Sequence, residues 1–262
     1  MGMKTIYSTD NRIYKLCKEL TTKKYRDRLG KYLIEGENLI EEARTSGISP
    51  EYLIFREDYE GPALRQASSA MEAVQMSRAL FTEIAQTETS QGVLAVAAAP
   101  ALSPEAFYEA CGEKNIVVLD RLQDPGNIGT IIRTAEAAGY GGIVAIKGTG
   151  DVYSPKTVRA AAGSVFRMPV LQAAEAEDAA RRIKRSGRRL VATAMDGAVL
   201  YSETDLRGNA ALVIGNEGNG ISEEMFALAD LKVRLPMRGA VESLNAAVAA
   251  AILMYETVRG QS

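Results

Sequence analysis

The sequence has no histidine among its 262 residues. That removes the Ser-His-Asp triad, the imidazole general base and every His-ligated metal site. Cysteine is almost as scarce. Cys17 and Cys111 lie far apart and cannot build a Cys-rich metal site alone, so no metal is expected. Two lone thiols suit a reducing compartment and buried, structural positions. No apolar run reaches membrane-spanning length, and the polar start Met1–Arg12 lacks the apolar core of a signal peptide. The expectation is a cytoplasmic protein without a membrane partner.

Charge is present in both signs but unevenly placed. The net charge is −2, yet residues 1–34 carry nine Lys/Arg against Asp10, Glu19 and Asp27, a local net of +6. A basic end on an otherwise acidic chain suggests a polyanion partner, and a solvated amphipathic helix is the plain alternative.

The chain alternates helix-like and strand-like stretches. Ile13, Leu16, Cys17 and Leu20 have helical spacing. Tyr32–Ile34, Tyr52–Phe55 and Gln91–Ala97 read as strands. Helices are expected from Gly36 to Gly47, from Pro62 to Ala70 and from Met76 to Ile84. This gives a small α/β domain over 1–98, followed by a linker over 99–112 with two prolines among small residues (AAAPALSP). A second α/β unit over 113–262 has strands expected at 115–119, 142–146, 189–194, 211–214 and 231–235. Its helices are expected at 128–138, 155–162, 175–186, 222–229 and 243–258. Repeated strand–helix–strand with apolar strands argues for a mostly parallel sheet.

Three stretches of the second unit carry chemistry. In VVLDRLQDPGNIGTIIRTAEAAG, Asn127 suits a helix N-cap, and Gly129 and Arg133 sit four apart on one helix face. A small residue beneath a long cation leaves room for a phosphate or ribose, although Gly129 as a packing residue and Arg133 as a surface cation is the plain alternative. IGNEGNGIS places Gly215, Gly218 and Gly220 around Asn216, Glu217 and Asn219 after an apolar run. The spacing is neither the dinucleotide fingerprint nor a P-loop, so an oxidoreductase reading is poor. In LPMRGAVESLNAAVA, Ser243 can cap an Ala-rich helix with Asn245 in its first turn. Two strand ends, two Gly-bearing loops and a helix start should therefore lie together, where ligands bind in open α/β sheets.

In this order and at these spacings, the three stretches resemble the three motifs of the SpoU/TrmH family of the SPOUT superfamily. These are RNA ribose 2′-O-methyltransferases that use S-adenosylmethionine. KYLIEGENLIEEA and FTEIAQTETSQGVLAV are similar to the substrate-binding domain that many members place first. The resemblance implies a trefoil-knotted catalytic domain, a homodimer through that domain, and RNA as the partner. It implies cofactor contacts from Gly215, Asn216, Gly218, Gly220, Ile221, Leu235, Pro236, Met237, Leu244 and Ala246. It assigns the chemistry to Arg133, Asn127, Glu217, Ser243 and Asn245, with Arg133 as the family's suggested base. A guanidinium with a pKa of roughly 12.5–13.8 is a poor base, so binding the target phosphate is the competing role. With RNA implied, Lys23, Lys24, Arg26 and Arg28 are the expected phosphate contacts. A ribosomal RNA target is expected. A tRNA target, or a catalytically silent RNA-binding or assembly factor on the same fold, are the other readings.

Overall fold

The computed structural model describes residues 3–66, 72–173, 175–194 and 198–260. The chain divides into two compact units, the first comprising 1–101 with 153–159, the second 102–152 with 160–262.

The first unit runs β1 (Thr5–Ile6), α1 (Arg12–Leu20), α2 (Lys23–Leu29), β2 (Lys31–Glu35), α3 (Glu37–Thr45), β3 (Tyr52–Arg56), β4 (Glu72–Met76), α4 (Arg78–Ile84) and β5 (Val93–Ala98). The strands form one sheet in the order β1-β4-β3-β5-β2, with β5 antiparallel to both its neighbours. The apolar stripe of α1 (Ile13, Tyr14, Cys17, Leu20) and that of α4 (Leu80, Phe81, Ile84) cover Leu33, Ile54, Val74 and Leu94 of the sheet. Asn11 caps α1 by accepting the N–H of Ile13.

Two expectations change here. The helix expected from Met76 begins only at Arg78, because Ser77 caps it and Met76 ends strand β4. Glu72–Met76 has weak strand propensity of its own. It is a strand because it pairs in register with β3 and turns Val74 and Met76 into the core. Of the helix expected over 62–70, Pro62–Gln66 is a 3-10 turn, and 67–71 lie outside the described residues.

The second unit runs α5 (Pro104–Cys111), β6 (Ile116–Asp120), α6 (Pro125–Ala137), β7 (Gly142–Ile146), α7 (Pro155–Ala161, crossing the unit boundary), β8 (Val170–Ala173), α8 (Ala176–Arg185), β9 (Arg189–Thr193), β10 (Val199–Leu200), β11 (Ala210–Gly215), α9 (Glu223–Leu228), β12 (Leu231–Arg234) and α10 (Ala246–Thr257). Its seven strands form an all-parallel sheet in the order β10-β12-β9-β11-β6-β7-β8. β6, β7 and β11 are buried along their whole length, as strands covered on both faces must be. Ile116, Val118, Ala211 and Val213 point to the face packed by α5, α8 and α9. The alternate residues face α6 and α10, which pack on each other. Within the stretch expected as a linker, α5 buries Phe107 and Cys111 in this core. The short strands β8 and β10 carry too little pattern to be read from sequence.

Both cysteines are buried, and burial pushes the Cys17 thiol up to about 12 and the Cys111 thiol up to about 11. Neither is a nucleophile at neutral pH. Among the described residues no helix is long and apolar enough to cross a membrane.

Candidate active site

β6 and β11 are neighbours, and their C-terminal residues Asp120 and Gly215 stand opposite each other. Both chains then leave the sheet on the same edge, β6 into α6 and β11 into the glycine loop. Asp124 caps α6 through its Oδ1, which accepts the N–H of Asn127 at 2.8 Å, and Pro125 takes the first helical position. Asn127 is therefore not the N-cap expected from sequence. It lies one turn inside and is buried, which turns its amide toward neighbouring segments.

Glu217 crosses from the glycine loop to this helix start. Its Oε1 accepts the Asp124 N–H at 3.0 Å and the Asn127 Nδ2 at 3.1 Å; its Oε2 accepts the Gln123 N–H at 3.2 Å. Burial alone would raise this carboxyl. The donors from Asp124, Asn127 and Gln123 outweigh it and hold the group below the usual carboxylate range. An ionised carboxylate only accepts, so Asn127 must present its NH2 to Glu217 and its Oδ1 the other way. That oxygen accepts Asn245 Nδ2 at 2.8 Å. Asn245 is then obliged to aim its own Oδ1 at α10, where it accepts the N–H groups of Ala247 (2.9 Å) and Val248 (3.3 Å). One charge thus orients two amides in series and joins all three motif stretches.

Asn245, not Ser243, caps α10. Ser243 is exposed and outside the helix, because the segment before Asn245 is an irregular, bent loop rather than a helical turn. From Met237 to Leu244 the backbone makes no hydrogen bond among the described residues. That leaves consecutive N–H and C=O groups available to a polar ligand. Leu235 and Met237 are half-buried and Pro236 exposed, at the end of β12; Leu244 is exposed and Ala246 half-buried at the start of α10.

The glycine loop is closed on itself. Asn216 and Gly220 exchange both backbone hydrogen bonds at 2.9 Å, and Asn216 Oδ1 accepts the N–H groups of Gly218 and Asn219 at 3.0 Å. Gly220 has φ 67°, which favours glycine. Gly215 is needed for space instead, since a Cβ there would stand 2.3 Å from the Gly220 carbonyl carbon. The sequence suggested that Gly215 clears room for a ligand; the atoms it clears room for belong to its own loop. Ile221 anchors the loop in the core beneath α9.

Arg133 lies four residues after the buried Gly129 and is exposed. Among the described residues it makes no hydrogen bond, ion pair or ring contact. The Asp-Pro pair at 124–125 was a readable helix-start signal that places the cap three residues earlier than Asn127. Asp120 and Arg121 carried no such signal.

The basic end of the first unit differs from its expectation. Arg26 is buried, and its Nη1 donates to the Leu20 carbonyl at 2.7 Å, satisfying the end of α1. It is a structural cation rather than an exposed phosphate contact. Lys23, Lys24 and Arg28 are exposed. Lys23 pairs with Asp27 at 3.0 Å, and Arg28 pairs with Glu19 at 3.4 Å and lies over the Tyr25 ring at 4.3 Å.

Comparison with known proteins identifies the family. Residues 114–255 match the SpoU rRNA Methylase family, and residues 11–95 match the MRM3-like substrate binding domain. The chain is 37% identical to the 23S rRNA (guanosine(2553)-2′-O)-methyltransferase RlmP of Bacillus subtilis, over 97% of this chain and 98% of that one. Among solved structures it is similar to the AdoMet-bound rRNA methyltransferase of Sinorhizobium meliloti (TM-score 0.88, 32% identity, 99% of each chain). It is also similar to the SpoU methyltransferase AviRb of Streptomyces viridochromogenes in complex with AdoMet (TM-score 0.84, 31% identity, 95% of this chain and 97% of that one). With a family match across more than half its length and a full-length relative, this chain belongs to the SpoU rRNA methylase family.

Proposed function

We propose that the protein is an S-adenosylmethionine-dependent methyltransferase that methylates a ribose 2′-hydroxyl in 23S ribosomal RNA. The observation that carries this reading is the series Glu217–Asn127–Asn245. It ties three separate stretches into one polar floor at the C-terminal edge of a parallel sheet, beside a loop with unspent backbone groups. When bound, S-adenosylmethionine supplies a methyl group already activated on a sulfonium; the residues present fit it through the backbone of the Met237–Leu244 loop and the closed Asn216–Ile221 loop. Leu235, Pro236, Met237, Leu244 and Ala246 frame the first of these, and Gly215, Gly218 and Gly220 shape the second.

The protein must hold the ribose in line and manage one proton. The guanidinium of Arg133, unpaired among the described residues, binds the phosphate next to the target ribose and stabilises the oxygen as its proton passes to that phosphate or to water. Asn127 and Asn245 are locked by Glu217 into fixed donor and acceptor directions, which pre-organises the floor. Ser243, without a hydrogen-bond partner among the described residues, supplies a hydroxyl to the RNA ribose. Lys23, Lys24 and Arg28 extend phosphate binding onto the first unit.

Family membership and one surface support the finer features of this reading. α10 is apolar all round, with Ala247, Ala250, Leu253 and Met254 buried and Val248, Ile252 and Tyr255 exposed at 49%, 37% and 55%. Such a strip suits a second copy of this chain, so the protein is a homodimer through its C-terminal unit, with a trefoil knot in that unit and a cytoplasmic location beside its RNA. The test is methyl transfer from labelled S-adenosylmethionine to ribosomal RNA, with 2′-O-methyl positions mapped in RNA from cells with and without the protein. One 23S site lost with the protein supports the reading. Transfer only to tRNA, or cofactor binding without transfer, would replace it.

A further inference from the structure

The polar floor explains how Glu217 meets α6. It leaves open why the glycine loop that carries Glu217 stands where it does. The last residue of β6, Asp120, and the residue after it, Arg121, each take one end of this loop. Asp120 is fully buried, and its Oδ2 accepts the N–H of Ser222 at 2.6 Å, where the loop turns into α9. Arg121 has φ 60°, a left-handed conformation that a non-glycine residue keeps only where its surroundings over-determine it. They do so here. The Arg121 N–H donates to Thr149 Oγ1 at 3.2 Å, and its carbonyl accepts both Gln123 Nε2 and Asn216 Nδ2 at 3.0 Å. Asn216 is the first residue of the loop. The left-handed turn therefore points the Arg121 carbonyl at the loop's beginning, while the side chain of Asp120 holds its end.

The second oxygen of Asp120 has no hydrogen bond and lies 3.5 Å from Arg121 Nε. A buried carboxylate so sparsely partnered, beside a strained residue, destabilises the fold on its own account. Such pairs persist at functional sites, where geometry is held against stability. We infer that Asp120 and Arg121 are positioning residues for the cofactor, clamping Asn216–Ser222 at both ends, and that Arg121 acts through its backbone rather than its guanidinium. This rests on the function proposed above.

The test uses the full chain. S-adenosylmethionine affinity is measured by calorimetry and methyl transfer by steady-state kinetics, for wild type, D120A, D120N, R121G and R121V. D120A leaves the Ser222 N–H buried and unpaired, so the Kd and KM for S-adenosylmethionine should rise about tenfold or more while kcat at saturation changes little. D120N should regain most of the affinity, since its amide oxygen still accepts that N–H. R121G and R121V both remove the guanidinium beside Asp120 and differ only at the backbone, so R121G, which takes φ 60° freely, should bind S-adenosylmethionine about tenfold more tightly than R121V, whose β-branched side chain resists that conformation. A merely structural role would lower the melting temperature of D120A and R121V without splitting KM from kcat. Equal affinities for R121G and R121V overturn the clamp, even should D120A not fold, and so does wild-type affinity in folded D120A. Wild-type protein that binds no S-adenosylmethionine would overturn the functional reading as well, and is distinct from both.

Discussion

The basic end and the polar floor treat charge in opposite ways. Along residues 1–34 the sequence accumulates a net +6, yet in space most of those cations have a carboxylate at hand. Arg12 meets Glu72, Lys18 meets Glu83 and Lys31 meets Glu51, each partner arriving from another part of the first unit. The floor is the reverse case. Its anion, Glu217, is satisfied by neutral N–H donors, and Arg133, about two turns into α6, makes no ion pair among the described residues. Exposed ion pairs are worth about 0–1 kcal/mol and exchange readily with other ions. A charge neutralised by oriented amides cannot be exchanged without dismantling the structure that orients them. Charge counted along a chain therefore marks a surface, and only the fold shows which of those charges are already neutralised.

The sharpest break of this contrast is removal of the unspent cation. Arg133→Ala should lower methyl transfer by about two to three orders of magnitude, the size of a lost transition-state contact, with S-adenosylmethionine affinity nearly unchanged. Arg133→Lys keeps the charge but not the planar fork, so a phosphate-binding role predicts partial recovery. Single-turnover assays on saturating RNA decide this, and near-normal turnover in the alanine variant would remove Arg133 from the mechanism. Gly215→Ala comes next. Its Cβ would meet loop backbone rather than a flexible side chain, so the loop must shift, at about 1–3 kcal/mol of stability. Calorimetry should show weakened cofactor binding in the folded fraction, and unchanged stability and affinity would mean the loop can move freely.

Asn245 sharpens the comparison because it has two jobs on two atoms. Asn245→Ala removes the α10 cap and the donor to Asn127, so stability should drop by about 1 kcal/mol and activity should fall with it. Asn245→Asp keeps an acceptor for the Ala247 and Val248 N–H groups but replaces the donor facing Asn127 by a second acceptor. Melting should then stay near wild type while turnover falls. Wild-type turnover in Asn245→Asp would show that the amide series contributes nothing beyond the cap.

What could be read without coordinates follows the range of the interaction. Buried parallel strands such as Ile116–Asp120 and Gly142–Ile146 are written as local apolar runs, and they were legible. Glu72–Met76 was not, because its strand state comes from pairing with Tyr52–Arg56 across the first unit. The motif residues were legible as a set through resemblance, yet their caps were displaced. Asp124 and Asn245 hold the helix starts expected from Asn127 and Ser243, since a cap depends on where the chain leaves the helix axis. Asp120 was invisible because a strand-end aspartate looks like any turn residue until its burial is known. Arg26 misled for the same reason: a cation in a basic run is indistinguishable from its neighbours until one of them is found inside.

The smallest effect tests the basic end itself. With Arg26 excluded as structural, the candidates are Lys23, Lys24 and Arg28, of which Lys23 and Arg28 already hold carboxylates. RNA phosphates must displace Asp27 and Glu19 to use them, so each contact yields less than a free cation would. Lys24, with no ion pair among the described residues, should contribute most. Replacing all three by Gln should weaken RNA binding modestly and flatten its salt dependence, each lost contact reducing the slope by roughly 0.7–0.9. Cofactor affinity should not change, since the residues proposed to hold the cofactor belong to the other unit. Arg26→Gln is the control with the opposite signature: it should lower the melting temperature by removing the donor from Leu20 while leaving the salt slope as it was. Binding curves at several salt concentrations separate the two. If the triple variant superimposes on wild type, the ion pairs of α1 and α2 are never exchanged for phosphates, and the +6 of the sequence is a solvated face.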